Sequence, residues 1–105
     1  MAGYTIFTTE EFDRDFERLD KSVQMQIEAE LNQVQNNPFV GKPLGYPFFR
    51  EKKVHNLRMF YLIYKEYVIV FIIALSDKKD QQETIDKIKY LMPYYKDEIR
   101  KKFTQ

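Results

Sequence analysis

The residues with the clearest potential for chemistry are basic and lie within one short segment. Four basic residues fall between positions 50 and 58, namely Arg50, Lys52, Lys53 and Arg58. The acid among them is Glu51. His55 and Asn56 fit a two-residue hairpin loop, which pairs the residues on either side of it. Lys53 and Arg58 are therefore expected to face each other on one face of a sheet.

Two cations that face each other across paired strands repel each other, by up to about 1 kcal/mol. A phosphate bound between Lys53 and Arg58 would offset that repulsion through charge-assisted hydrogen bonds. The alternative is that both side chains extend into solvent and bind nothing. The pair is thus a candidate anion site that depends on its neighbours.

Lys78 and Lys79 are the expected neighbours. In the register predicted for the second hairpin, Arg58 lies opposite Ile73. The chain beyond the last strand, which carries both lysines, then emerges beside the hairpin tip. Basic side chains from three segments, in a chain whose net charge is only +1, favour a local anion site over general coating of nucleic acid.

Such a site has the groups that RNA cleavage needs. Arg58 would stabilise the charged transition state, while a lysine whose pKa is depressed by cationic neighbours would act as the base. Another cation would protonate or neutralise the leaving oxygen. His55 is an alternative base because imidazole titrates near neutrality, but a solvent-exposed turn residue without a role fits its position better.

Two other groups of residues are weaker candidates. The first predicted helix is acidic (Glu10, Glu11, Asp13, Asp15 and Glu17). Its spacing gives a solvated face rather than paired carboxylates, so we assign it no catalysis. The carboxy-terminal part is rich in aromatic residues (Tyr90, Tyr94, Tyr95 and Phe103). These rings could stack on bases, although packing against the sheet is favoured.

The elements that would position the basic cluster can be read from hydrophobic spacing. A strand at 4–8 is followed by two helices, the second with a stripe of Val23, Ile27, Leu31 and Val34. Residues 38–47, rich in proline and glycine, are predicted to form a loop. Strands at 48–54, 57–64 and 67–75 form a meander, and two further helices follow, the last one short. The fold class is α+β: a small antiparallel sheet with an N-terminal helical hairpin on one face and a C-terminal helix.

Composition limits the other possibilities. The 105 residues predict one domain spanning 1–105, and 44% hydrophobic residues can form its core. Cysteine is absent and there is one histidine, which argues against disulfides and against a conventional metal site. We find no secretory signal, and the longest apolar run, 67–75, is too short to cross a membrane. A cytoplasmic protein without a membrane contact is expected.

The order of these elements resembles the RelE/ParE toxin superfamily over nearly the whole chain. The likeness is carried first by Asn37-Pro38 and Gly41-Lys42-Pro43-Leu44, then by Arg50-Glu51-Lys52-Lys53-Val54 and Leu57-Arg58-Met59-Phe60-Tyr61. The apolar run 68–75 followed by Asp77-Lys78-Lys79 completes it. None of these pieces is specific alone, but their order and spacing together are.

The resemblance implies the toxin of a type II toxin–antitoxin pair. The best-known members enter the ribosomal A site and cut the messenger RNA without a metal or other cofactor. By position, it implies catalytic roles for Arg58, Lys53 and Lys78. Arg50, Lys52, Lys79 and His55 are the remaining candidates for contact with RNA phosphates. A cognate acidic antitoxin is the expected protein partner.

The chain departs from the family pattern at two positions. Glu51 stands where active relatives often have a second base, and Thr84 stands where some have a catalytic tyrosine. Lys52, Arg50 or a tail tyrosine are the candidates to replace the missing groups. Three functions therefore stay open: a ribosome-dependent mRNA endonuclease, a ParE-like inhibitor of a protein such as DNA gyrase, and a degenerate toxin.

Overall fold

A five-stranded sheet forms the centre of the molecule. The computed structural model describes residues 3–103. Its strands are β1 (Thr5–Thr8), β2 (Lys42–Tyr46), β3 (Phe49–Val54), β4 (Leu57–Tyr64) and β5 (Ile69–Asp77). They lie in the order β1-β5-β4-β3-β2. The helices are α1 (Glu10–Glu17), α2 (Lys21–Asn36), α3 (Gln81–Tyr90) and α4 (Met92–Phe103), with 3-10 turns at Pro38–Val40 and Lys65–Tyr67.

The sheet has a hydrophobic core on each face. β4 and β5 are its most buried strands, which explains why their sequences are continuously apolar rather than alternating. The N-terminal helices cover one face with a core that includes Phe12, Ile27, Val34, Met59 and Tyr61. The C-terminal helices cover the other with a core that includes Phe60, Leu62, Ile88, Tyr95 and Ile99. The predicted α+β class and the helical hairpin on one face are confirmed.

The start of α1 is tied directly to the sheet. Thr9 caps the helix, because its hydroxyl oxygen accepts a hydrogen bond from the Phe12 N–H at 3.0 Å. The same hydroxyl donates to the carbonyl of Ile73 on β5 at 2.6 Å. The acidic first turn of α1 is also favourable for the dipole at the helix N-terminus.

The prediction of a loop over 38–47 is wrong for half of that segment. Lys42–Tyr46 is the edge strand β2, which pairs with β3 in an irregular register. An edge strand tolerates Pro43 because one side of it needs no ladder hydrogen bonds. The N-terminal strand also pairs parallel to β5, so the sheet is mixed although mostly antiparallel.

The register predicted for β4 and β5 is wrong by three residues. Ser76, not Ile73, lies opposite Arg58. Two residues of the shift come from a longer connection, which runs through a 3-10 turn to Val68 in the left-handed region. The third comes from an irregularity of the ladder between Phe60 and Tyr61.

None of the described helices is both long and apolar enough to cross a membrane.

Candidate functional site

The predicted hairpin and its cationic pair are present. Val54 is paired with Leu57 and Lys53 with Arg58, so His55 and Asn56 form the two-residue loop. Lys53 is exposed and Arg58 is partly buried. Both belong to the sheet face that α3 and α4 cover further along the strands, because residues two apart on a strand share a face.

Arg58 stands between two neighbours in a row across three strands. Lys53 on β3 lies on one side and Ser76 on β5 lies on the other. Adjacent strands are about 4.8 Å apart, so the row spans roughly 10 Å. Ser76 is buried, and its hydroxyl donates to the Asp77 carbonyl at 3.0 Å.

The end of β5 brings Lys78 and Lys79 to the same end of the sheet. Asp77 pairs with Leu57, the first residue after the hairpin loop. Lys78 and Lys79 follow directly and are exposed. The structure therefore collects basic residues from three segments around the hairpin tip, as the sequence predicted.

The hairpin loop itself is conformationally unusual. His55 is exposed and has a φ of 57°, in the left-handed region. Histidine is one of the few residue types found there with some frequency. The Asn56 carbonyl accepts a long, 3.5 Å hydrogen bond from Nη1 of Arg58. The guanidinium is thus held only loosely by this bond.

Arg50 and Lys52 lie on the opposite face of β3 from Lys53, as strand alternation requires. Arg50 donates to the carbonyls of Pro47, Phe39 and Gly41 at 2.8, 3.0 and 2.8 Å. Lys52 forms an ion pair with Glu30 of α2 at 3.0 Å. These two cations therefore hold β3 to the elements around it and do not join the tip.

Glu51 shares a face with Lys53 and is buried, with 9% of its surface exposed. Its carboxylate accepts a hydrogen bond of 2.7 Å from Nε2 of Gln81, the first residue of α3. This bond joins β3 to the helix that follows Lys78 and Lys79.

The tyrosines divide into buried and exposed groups. Tyr95 packs in the core, and burial raises the pKa of its hydroxyl to about 12, so it stays protonated at neutral pH. Tyr90 and Tyr94 are exposed, against the expectation that the tail aromatics pack against the sheet. The side chain of Phe103 lies outside the described part of the chain. Tyr95 therefore cannot serve as a base near pH 7.

Comparison with known proteins places this chain in a family. Residues 6–88 match the family model described as the ParE toxin of the type II toxin–antitoxin system parDE. The chain belongs to this ParE toxin family. It is the toxin component of a type II toxin–antitoxin system within the RelE/ParE superfamily. No curated protein matches its sequence significantly.

Solved RelE structures share the fold of this ParE-family chain. A free double arginine mutant of Escherichia coli RelE is 24% identical, with a TM-score of 0.68 over 84% of this chain and 99% of that one. RelE in the intact E. coli RelBE complex is 24% identical, with a TM-score of 0.64 over 70% of this chain and 95% of that one. A chain of the RelBE2 complex of Mycobacterium tuberculosis is 24% identical, with a TM-score of 0.63 over 74% of this chain and 94% of that one. At this identity the similarity establishes the fold.

Two residues of the candidate site in this ParE-family toxin, Ser76 and Glu51, are not predicted as its members from the sequence. Ser76 lies opposite Arg58, where the predicted register puts Ile73. Glu51 was seen only as a departure from the family pattern. Strand alternation predicts that Glu51 and Lys53 share one face of β3. It also predicts that Arg50 and Lys52 lie on the opposite face. Thr84, the other departure, donates to the Asp80 carbonyl at 2.9 Å within α3.

Proposed function

We propose that this ParE-family toxin is a metal-independent, ribosome-dependent mRNA endonuclease that acts through the hairpin tip. The observation that carries the proposal is the pairing of Lys53 with Arg58 across β3 and β4. Repulsion between the two cations is relieved when a phosphate lies between them. The scissile phosphate of a messenger in the ribosomal A site is the proposed occupant.

In this mechanism the chain supplies charge and position rather than a covalent group. Arg58 neutralises the negative charge that develops when the RNA 2′-hydroxyl attacks the phosphate. Lys53 and Lys78 flank it: one, as the neutral amine, takes the hydroxyl proton, and the other, as an ammonium, gives a proton to the leaving oxygen. Lys79 and His55 bind neighbouring phosphates. We leave Arg50 and Lys52 out of the RNA contacts, because their donors are engaged on the other face.

The solved complexes support a proposed partner. Several of the similar structures are toxins bound to RelB antitoxins. We propose a cognate acidic antitoxin for this chain and a cytoplasmic site of action, where ribosomes are found.

The test is induced expression in a bacterial host with mapping of messenger 5′ ends. The wild type is expected to arrest growth and to produce new cuts in frame. Arg58→Ala should lose both, because removal of one transition-state donor costs roughly a hundredfold or more in rate. Arg14→Ala is the matched control, since Arg14 is an exposed arginine on α1, a helix that covers the other face of the sheet.

A second candidate is a non-catalytic inhibitor of a protein target such as DNA gyrase. The match to the ParE family model favours it. Arrest of growth without new RNA ends would establish this function. No arrest in a host with matching ribosomes would contradict both and indicate a degenerate toxin.

A further inference from the structure

A cleft opens beside the row of Lys53, Arg58 and Ser76. It has a volume of about 560 Å³ and is lined by the end of β5, the first half of α3, Glu11 of α1 and Tyr95 of α4. Ser76 belongs both to the row, where it lies opposite Arg58, and to the lining of the cleft. A ligand that is held on the row by one group can therefore place its next group in the cleft.

The floor of this cleft is apolar and lies where β5 loses its neighbour. The ladder between β1 and β5 ends at the pair of Thr8 and Ile72, and residues 73–76 of β5 line the cleft beyond that point. Ile73 and Ala74, together with Ile88 of α3, are buried apolar residues of the lining. Such a floor favours a group with apolar faces, such as an aromatic ring, over a small ion.

The polar wall of the cleft is acidic. Asp80, Glu83 and Glu11 line it against one cation, Lys87. The Lys87 ammonium already pairs with Glu11 at 3.4 Å. Within residues 3–103, neither a hydrogen bond nor an ion pair engages the carboxylates of Asp80 and Glu83. Because two carboxylates repel a phosphate, the phosphate belongs on the row, and a neutral group with N–H donors suits the cleft.

Two hydroxyls complete the lining. The Thr84 hydroxyl donates to the Asp80 carbonyl at 2.9 Å, so it stays directed along its own helix. Burial raises the pKa of Tyr95 to about 12, so its hydroxyl keeps a proton that it can donate. The cleft thus offers mainly acceptors, with one donor, around an apolar floor.

These features suit a nucleobase that carries an exocyclic amino group. A carboxylate accepts hydrogen bonds from the amino group of cytosine, whereas uracil presents a carbonyl oxygen at the same position. Adenine and guanine also carry amino groups. Uracil would place its oxygen against the carboxylates of Asp80 or Glu83 and leave those acceptors unpaired.

We propose that this cleft binds the base next to the phosphate held by Arg58, and that Asp80 and Glu83 select bases with an exocyclic amino group against uracil. The inference deepens the proposed nuclease function and rests on it for the identity of the RNA. Phosphate contacts position a nucleic acid and base contacts specify its sequence. The cationic row and the acidic cleft divide these two roles.

The experiment compares two probes on the purified chain by NMR titration. The probes are trinucleotides of deoxycytidine and of deoxyuridine, which lack the 2′-hydroxyl and so resist cleavage. The cytidine probe should bind roughly tenfold tighter or more, which is about 1.4 kcal/mol, and should shift the amide signals of Ser76 and Thr84. Glu83→Gln should bring the ratio of affinities close to one, because its amide N–H can donate to the uracil oxygen.

Two variants separate base selection from charge. Asp86→Asn removes the same charge from the same helix, but Asp86 accepts from Gln82 on the exposed side, so the ratio should stay as in the wild type. Arg58→Ala should weaken both probes equally, because a contact to a phosphate carries no information about the base.

The mapped messenger ends supply the second measurement. Uridine should be rare at one fixed position beside the cut, and Glu83→Gln should make it more frequent there. Equal affinity of the wild type for both probes, or a ratio that Glu83→Gln leaves unchanged, would overturn the proposal. Selective binding without any cuts would support the cleft and reject the nuclease function. Cuts without base selection would reject the cleft alone.

Discussion

Two described residues other than glycine, His55 and Val68, have a positive φ. Histidine tolerates this region, whereas valine is strained in it. His55, at 57°, occupies the proposed site. Val68, at φ 55° and ψ 46°, ends the connection between β4 and β5. A β-branched residue in this region is strained, because its Cβ crowds the carbonyl that follows. The strain at Val68 persists because its carbonyl accepts from the Thr5 N–H at 2.9 Å and its N–H donates to Lys65 at 3.1 Å.

Val68→Asn is therefore expected to stabilise the protein by about 1 kcal/mol. Asparagine tolerates the left-handed region, and the exposed Val68 side chain contributes little packing. Urea unfolding of both proteins would measure the gain. Val40→Asn is the matched control, because Val40 is also exposed but has a negative φ, and it should show no gain. A less stable Val68→Asn protein would contradict the strain argument.

At the scale of elements, the hairpin of β3 and β4 could be predicted and its neighbours could not. Lys53 and Arg58 pair as expected because a two-residue loop fixes the register locally. β2 was missed because Pro43 and Gly45 weaken any strand signal, and only an edge position tolerates them. The parallel pairing of β1 with β5 also has no local signal, since the two segments are some 60 residues apart in the chain.

The register of β5 shows why the rest of the site was harder to predict. Hydrophobic pattern alone cannot count the residues of a loop when both strands are buried on both faces. The irregularity after Phe60 then changes which residues of β5 face α3. Ser76 reaches Arg58 only because of both features. The basic residues were visible in the sequence, while their order across the strands required the structure.

The hydrogen bond from Gln81 to Glu51 joins α3 to β3, and its contribution to stability can be tested. Gln81→Ala is expected to lower the free energy of unfolding by about 1–3 kcal/mol, because a buried carboxylate loses its hydrogen bond. It should also reduce toxin activity, since α3 and the preceding lysines lose their link to β3. Thermal or urea unfolding, together with the growth assay, would measure both effects.

Gln82→Ala provides the control for this prediction. Gln82 is the next residue of α3, and its amide donates to Asp86 at 3.0 Å on the exposed side of the helix. Its loss should cost no more than about 0.5 kcal/mol. Equal effects of the two substitutions would show that helix propensity, rather than the link to Glu51, determines stability.

At the scale of the whole molecule, the two faces of the sheet carry three separate regions. The N-terminal helices cover one face, and Arg50 and Lys52 hold β3 to that side. The other face carries the row of Lys53, Arg58 and Ser76 at one end. A mostly apolar cleft of about 540 Å³, lined among others by Phe48, Ile63 and Met92, lies at the far end. Half of the 16 acids lie at 10–30, so a chain with almost no net charge can still present several cations at the hairpin tip.

The same two cores bury tyrosines, and this gives stability a defined alkaline limit. Burial raises the pKa of Tyr61 and of Tyr95 to about 12, and it raises the pKa of Tyr64 as well. The folded state therefore keeps protons that the unfolded chain releases near pH 10. Stability is full below pH 10 and falls as the pH rises from 10 toward 12, because ionisation then favours the unfolded state.

Urea unfolding between pH 8 and 12 should show this decline, and Tyr61→Phe should make it shallower. The substitution removes one of the groups that releases a proton on unfolding. At pH 8 it should be destabilising, because the Tyr61 hydroxyl donates to the Pro38 carbonyl at 2.7 Å and accepts from the Gly41 N–H at 3.2 Å. The two curves should therefore converge as the pH rises. Tyr90→Phe is the control, since Tyr90 is 82% exposed and its loss should leave the slope unchanged. Parallel curves for wild type and Tyr61→Phe would mean that alkaline unfolding has another origin, such as the repulsion among acids after the lysines deprotonate.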